Sequence, residues 1–336
     1  MSAGWHKVSG MKHVVIETTG PPAAVAQVRA AASLGMPPGH VRLRMLYAPV
    51  NPADLNYIEG TYGKKPVLPA VPGIEGAGRI EELGEGVTGL TAGQLAIPLS
   101  GMGCWAEEIV RPAGEVFPLP DNIDPRQASM LRVNPATAYG LLHATGSLPR
   151  GAWVVQNAAS SGAGHCVIQL ARHLGLRTLN LVRRPESVAA CTALGADAVL
   201  VDAPEAAAAA RALTDFQPPA LALNAVGGDS AIRLMDLLAL QGTMVTYGAM
   251  SRQAVKVPNR FLIFKELHLR GFWLTRWLES ARAEEGRAIY TELAALVAAG
   301  KMQQPVAAEY PLSDIAGALR HAATSARGGK VLLKLA

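Results

Sequence analysis

The sequence predicts an α/β protein in which a doubly wound parallel sheet is set between two stretches of a smaller β-rich domain. Three observations carry that expectation. Residues 153–164 read as a buried strand, a tight turn of small residues and the opening of a helix. From residue 187 to 247 helical and strand-like segments alternate, the pattern of a parallel sheet covered on both faces. The first third carries many Gly and Pro residues and short alternating runs such as His40-Val41-Arg42-Leu43-Arg44-Met45-Leu46, the texture of a β-rich domain.

In the β-rich part the candidate strands are 12–17, 40–47, 76–83, 94–98 and 105–110. Pro118, Pro120, Asp121 and Pro125 mark a transition. A helical segment, 126–144, then leads to the strand at 153. Beyond Gly164, the apolar Val167, Leu170, Ala171 and Leu174 share one helical face. A second apolar run, Thr178-Leu179-Asn180-Leu181-Val182, ends in Arg183-Arg184. Helix 187–194, strand 198–202, an Ala-rich helix 204–213, strand 221–226, helix 230–240 and strand 242–247 continue the alternation. After Gly271 the pattern changes. Strand 268–274, a long helix around 281–299, a strand near Glu309, a helix after Ser313 and a last strand 330–335 are expected to return to the first domain.

Composition narrows the function classes. The 336 residues suit two domains, and 50% hydrophobic with 17% charged residues excludes a disordered chain. The Ala-rich runs are broken by Asp, Glu or Arg, so no membrane partner is expected. The net charge of +5 comes from 31 basic and 26 acidic residues scattered along the chain. Without a basic run or an RNA-type aromatic motif, no nucleic-acid partner is expected, and an acidic small substrate or carrier fits better. Cys104, Cys166 and Cys191 form no C-x-x-C pair, which points to a reducing compartment. Residues 1–10 have neither an apolar signal core nor an Arg-rich transit pattern, so a cytoplasmic protein is expected.

The strand, turn and helix at 153–174 suit a dinucleotide pyrophosphate, because free N–H groups and the positive helix end face a bound phosphate. In the G-x-G-x-x-G register the three positions are Ala159, Ser161 and Gly164, so only the last glycine is kept. Small residues also fill ordinary strand-to-helix turns. Arg183 and Arg184 stand where an NAD-preferring fold usually carries an acidic residue for the ribose 2′-hydroxyl. Arginine there suggests a 2′-phosphate and hence NADP(H), although such a pair is often merely solvated.

A β-rich domain interrupted by a dinucleotide-binding domain resembles the medium-chain dehydrogenase/reductase superfamily over nearly the whole chain. Pro72-Gly73-Ile74-Glu75-Gly76-Ala77-Gly78 and Leu194-Gly195-Ala196-Asp197 are similar to two of its signatures. Zinc-dependent members carry a cysteine shortly before the first signature and a histidine within it. Here the histidine position is Ile74 and no cysteine precedes Cys104, so no metal site is expected. Within the zinc-free branch, residues 51–63 with Leu68-Pro69-Ala70, residues 133–139, residues 242–250 and Leu269-Arg270-Gly271-Phe272-Trp273-Leu274 resemble the mitochondrial-type trans-2-enoyl-CoA reductases. Pro72, Ile74 and Ala158 to Ser161 depart from that family's pattern.

The resemblance implies a GroES-like catalytic and substrate domain at 1–125 and 272–336, and a Rossmann NADP-binding domain at 126–271. It also implies a homodimer with its sheets joined through the Rossmann domains. The implied activity is NADPH-dependent reduction of the double bond of 2-enoyl thioesters, carried by CoA or acyl carrier protein. Tyr62 is the candidate acid, since a phenol is protonated at neutral pH and can hold an enolate oxygen or deliver a proton; a packed turn tyrosine is the structural alternative. Tyr57, on a strand-like run, is expected to be a packing residue. Trp273 is expected to wall the nicotinamide, and Trp277 to line an acyl pocket. Asn134 is expected to orient the nicotinamide or ribose and to cap the following helix. Ser160, Ser161, Gly162 and Ala163 are expected at the pyrophosphate, Tyr247, Gly248, Ala249 and Met250 at the adenosine or ribose, and Phe272, Leu274 and Lys330 at further cofactor contacts. Lys64, Lys65, Arg260 and Arg276 are candidates for the phosphates of CoA or an acidic carrier. A zinc-free quinone or alkene reductase and a non-catalytic NADPH sensor remain alternatives.

Overall fold

The computed structural model describes residues 10–280, 283–325 and 327–336. They form two compact units, 1–133 with 290–336 and 134–289.

The first unit opens with β1 (Met11–Val15), α1 (Pro22–Val25), β2 (Gln27–Ala31), β3 (His40–Pro49) and α2 (Pro52–Glu59). It continues through β4 (Ala77–Leu83), β5 (Leu95–Pro98), β6 (Glu108–Pro112), β7 (Val116–Pro118) and α3 (Pro125–Ser129). The expectation of strand for Tyr57 is corrected here. Pro52 starts the helix and Asp54 reaches back to the Asn51 N–H at 2.8 Å, and these local start signals outweigh the β-branched and aromatic content. Tyr57 is buried in the core of the unit, as a packing residue.

The expected single helix 126–144 is two helices. The chain breaks at Met130, and α4 (Asn134–Leu142) restarts in the second unit, where Pro135 favours a helix start. Asn134 is therefore the first residue of α4 rather than a cap ahead of it. There follow β8 (Trp153–Gln156), α5 (Gly162–Leu174), β9 (Arg177–Val182), α6 (Ser187–Ala193), β10 (Ala198–Val201), α7 (Ala206–Leu213), β11 (Leu221–Asn224), α8 (Gly228–Leu237) and β12 (Thr243–Thr246). The unit continues with α9 (Asn259–Ile263), β13 (His268–Gly271) and α10 (Leu274–Ser280).

Among the described residues, one parallel sheet runs in the order β10-β9-β8-β11-β12-β13. This is the doubly wound order of a Rossmann fold, whose crevice lies where the order reverses, between β8 and β11. Strand 268–274 was expected to leave the alternation. It instead supplies the sixth strand over His268–Gly271, with Leu269 paired to Met244. β8 is buried along its whole length, as a central strand of a sheet covered on both faces must be.

The boundaries of the units also differ from 125/126 and 271/272. α3 packs on β3, β4 and β5 and stays with the first unit, whereas α10 packs on α4. The second boundary falls within α11 (Ala283–Ala298). The return segment, β14 (Val306–Pro311), α12 (Ile315–Ala323) and β15 (Lys330–Lys334), completes the first unit. β15 lies antiparallel to β3, and the sheet runs β14-β15-β3-β4-β5-β7 with β6 also paired to β3. No described helix is long and apolar enough to cross a membrane.

Candidate active site

In the second unit the turn after β8 builds a cradle from backbone and small side chains. Ala158 takes a left-handed conformation (φ 49°), so the sharp bend falls one residue before the first glycine position of the motif. Ser161 caps α5 by accepting from the Gly164 N–H at 3.1 Å. The N–H groups of Gly162 and Ala163 lie in the first turn, where no intrahelical acceptor exists. The third glycine position is sterically required, because a Cβ on Gly164 would stand 2.5 Å from the Ala159 carbonyl oxygen. Ser160 is exposed, and Ser161, Gly162 and Ala163 are half-buried.

Neutral amides tie the crevice together. Asn157 donates to Asn224 Oδ1 and Ser230 Oγ, both at 2.9 Å, and accepts from the Ala225 N–H at 2.7 Å. Asn224 Oδ1 accepts from Gly227 N at 3.0 Å. These side chains clamp the carboxyl ends of β8 and β11 to each other. Sequence reasoning passed over Asn157 and Asn224, although an Asn closing each of two apolar strands was the available signal.

The neighbouring segments meet this cradle within the same unit. The Tyr247 N–H donates to Asn224 O at 3.0 Å, and Met250 N–H to Ala225 O at 2.9 Å. A Cβ on Gly248 would lie 3.0 Å from Ala225 O, so the chain passes close to β11. Ala249 and Met250 are exposed. The Tyr247 hydroxyl, beside Ser161, is buried without a well-formed hydrogen bond, and burial holds its phenol protonated well above the ordinary range. An orphaned hydroxyl at a phosphate-type helix start fits a dinucleotide. Arg183, exposed, and Arg184, half-buried, follow β9 directly.

The aromatic segment is partly packed. Phe272 donates its N–H to Thr246 O at 2.9 Å, and its ring sits where a Cβ on Gly140 would come within 2.5 Å. Trp277 stands 5.8 Å from Phe272 and 6.3 Å from Tyr139. The structure thus places Trp277 in an aromatic cluster over α4, as a packing residue. Leu274 opens α10, half-buried, while Trp273 is 36% exposed. Asn134 is buried.

In the first unit, α2 ends at Gly60, which is left-handed (φ 73°). The Thr61 and Tyr62 N–H groups then both donate to Asn56 O, at 2.8 and 3.0 Å. That turn holds Tyr62 half-buried at the edge of the core cluster. Beneath α2 lies a buried ionic network. Asp54 accepts from the N–H groups of Asn51 and Ile74, both at 2.8 Å. Glu75 accepts from Asn51 Nδ2 at 2.9 Å and the Val133 N–H at 2.8 Å. Lys330 donates to Asn51 Oδ1, and Arg132 donates to the carbonyls of Ile74 and Gly101. Burial pushes Asp54 up to about 7 and Glu75 above the ordinary carboxylate range, against the opposing pull of these hydrogen bonds and of Lys330. Lys330, expected at the cofactor, is buried in this network.

Residues 37–121 match the alcohol dehydrogenase GroES-like domain family, and residues 162–290 match the zinc-binding dehydrogenase family. The human mitochondrial enoyl-[acyl-carrier-protein] reductase is 39% identical over 309 residues, 89% of this chain and 82% of that protein. The chain belongs to the enoyl reductase family of the medium-chain dehydrogenase/reductases. Among solved structures, the Candida tropicalis mitochondrial 2-enoyl thioester reductase Etr1p/Etr2p heterodimer aligns with a TM-score of 0.88 at 26% identity, covering 96% of this chain and 99% of that one. An Etr1p/NADP/crotonyl-CoA complex aligns at 0.86 with 26% identity and the same coverage. A Pseudomonas syringae quinone oxidoreductase aligns at 0.84 and 26%, covering 96% and 99%.

The enoyl reductase family membership corrects one expectation. Relatives from human, rat, mouse and Dictyostelium discoideum are named mitochondrial, which overturns the cytoplasmic assignment. Unpaired cysteines indicate a reducing compartment without saying which one, and residues 1–9 lie outside the described residues. The zinc named by the matching dehydrogenase family does not fit this enoyl reductase. Ile74 offers no ligand side chain, and the nearby carboxylates are engaged by N–H groups beside the Lys330 and Arg132 cations.

Proposed function

We propose that this chain reduces the carbon–carbon double bond of 2-enoyl thioesters with NADPH. Membership of the enoyl reductase family over 89% of the chain carries the reading. When bound, NADPH supplies the hydride that adds at Cβ. The first-turn N–H groups of Gly162 and Ala163, with the hydroxyls of Ser160 and Ser161, bind the pyrophosphate. Arg183 and Arg184 bind the 2′-phosphate. Tyr247, Gly248, Ala249 and Met250 border the adenosine or ribose, Asn134 and Trp273 hold the nicotinamide, and Phe272 and Leu274 shape that wall from behind. The Tyr62 phenol holds the developing enolate oxygen and delivers, or relays, the proton to Cα.

The assay is NADPH oxidation with crotonyl-CoA, a longer enoyl-CoA, an enoyl group on acyl carrier protein, and a simple quinone. Thioester turnover is the expected result, and the better thioester identifies the carrier. Turnover of quinone alone would replace this reading with a quinone reductase, and turnover of none with an NADPH-binding protein.

A homodimer is part of the same proposal. β13 is an exposed edge strand carrying Leu269, and Leu262, Ile263 and Phe264 before it are also exposed. An open apolar edge of this kind pairs with a second copy or aggregates. Leu269→Asp is expected to convert a dimer to a monomer in sedimentation; an unchanged assembly would count against pairing through β13.

A further inference from the structure

A cavity of about 430 Å³ lies within the first unit, bordered by the β1–β2 pair, by β6 and by Tyr57 of α2. That volume falls in the range of small-molecule sites, about 300–1,000 Å³. Its wall is mostly apolar, with Met11, Val71, Met102 and Ile109 among the lining residues. Tyr62 does not border it.

Two polar groups at this cavity lack the partners that burial or charge ordinarily demands. Tyr57 is 7% exposed, and its hydroxyl makes no hydrogen bond among the described residues, although a buried phenol usually finds one. Arg111 donates to two neutral acceptors, Val110 O at 3.0 Å and Met102 O at 2.6 Å. Among the described residues no carboxylate stands within ion-pair distance of Arg111, and a guanidinium has donors left after two bonds. The Glu108 carboxylate, which also borders the cavity, is engaged elsewhere. It accepts from Ser33 Oγ at 2.9 Å and the Leu34 N–H at 2.8 Å, and pairs with Arg42 at 2.6 Å. Lys12 adds a second cation on the β1 side.

We propose that this cavity binds an amphiphilic monocarboxylate, an apolar body, linear or aromatic, that ends in one carboxylate. Arg111 pairs with the carboxylate, whose geometry its planar fork matches. The Tyr57 hydroxyl gives a further hydrogen bond, and the apolar wall covers the body of the ligand. A cationic amphiphile would meet Arg111 and Lys12 as like charges, and a neutral one would leave the guanidinium without an anion.

This site goes beyond the proposed reductase, and its test reads binding without turnover. The full chain is titrated calorimetrically with octanoate, naphthoate, octanol and octylamine, alone and with NADP+ and crotonyl-CoA present. At least one carboxylate is expected to bind once per chain, about 10–100-fold tighter than octanol, the worth of a charged hydrogen bond. Octylamine should not bind, and the tighter carboxylate tells a linear body from an aromatic one. Arg111→Gln should weaken that carboxylate about 10–100-fold and Tyr57→Phe about 3–10-fold, whereas Tyr62→Phe should leave it unchanged. Absence of saturable binding by both carboxylates would overturn the proposal. So would a carboxylate that crotonyl-CoA displaces and that neither Arg111→Gln nor Tyr57→Phe weakens, since it would sit at the thioester site. Should Arg111→Gln fail to fold, Tyr57→Phe, which keeps the ring in the core, decides the matter by the same titration.

Discussion

At the carboxyl ends of β8 and β11 the buried polar groups are neutral amides and a hydroxyl that donates to the Asp202 carboxylate, whereas under α2 two buried carboxylates and a lysine meet at Asn51, with the half-buried Arg132 beside them. The neutral set brings no charge of its own to the cradle. It can hold strand ends together while the positive field for a phosphate comes from the helix start and, in the proposed function, from Arg183 and Arg184. The charged set is costlier to bury and its geometry depends on every partner being present. Both sets link segments far apart in the chain, the amide clamp across 67 and 73 residues and the Lys330–Asn51 contact across 279. The cradle is thus expected to tolerate pH and respond to sterics, and the α2 network to do the reverse.

The largest effect is expected at Tyr62, the proposed acid of the first unit. Tyr62→Phe should lower thioester turnover about 100–1000-fold, the loss typical of one donor to a developing oxyanion, with NADPH affinity intact. Turnover within a few-fold of wild type would remove Tyr62 from the chemistry.

Next comes the field of the cradle. Replacing Arg183 and Arg184 by Ala together should weaken NADPH binding by about 10–100-fold, the worth of charged hydrogen bonds at about 1.5–3 kcal/mol. NADH binding should hardly move. Parallel losses for both cofactors, read by titration, would argue against a 2′-phosphate contact.

Sterics in the same region give a smaller, separable change. Gly164→Ala should cost about 1–3 kcal/mol in chemical denaturation, because its Cβ meets Ala159 O, and should weaken either cofactor alike. A variant as stable as wild type would show that the turn can open.

The mildest test is pH. The folded Asp54 pKa lies at about 7, above its unfolded value of 3.8, so the folded state binds the proton more tightly. Its contribution to stability is therefore complete below the unfolded value and falls as pH rises towards 7. Asp54→Asn should remove that downward component between about pH 4 and 7. Denaturation curves for the two proteins with identical pH slopes would count against a buried protonated Asp54.

Much of this was legible in the chain. The α5 face, the βα alternation and the small-residue turn predicted the second unit because each depends on neighbours within a few residues. Tyr57 misled as a strand residue, since its local apolar run conceals a helix start set by Asn51, Pro52 and Asp54. Strand 268–274 was expected to leave the alternation because pattern reports that a strand exists, not which edge accepts it. Lys330 was placed by resemblance alone, and Asn157, Asn224 and Glu75 were overlooked as lone polar residues among apolar ones.

The sequence by itself determined the α/β class and the strand, turn and helix of the cradle, both written in short-range spacing, while Tyr62 became the candidate acid through the family resemblance. Tertiary structure alone decided that β13 closes the parallel sheet, that Trp277 packs on Phe272 and Tyr139, and that Lys330 meets Asn51. The reason is one of range: turn and helix signals act over a few residues, whereas a buried charge finds its partners only when the sheet brings distant strands together.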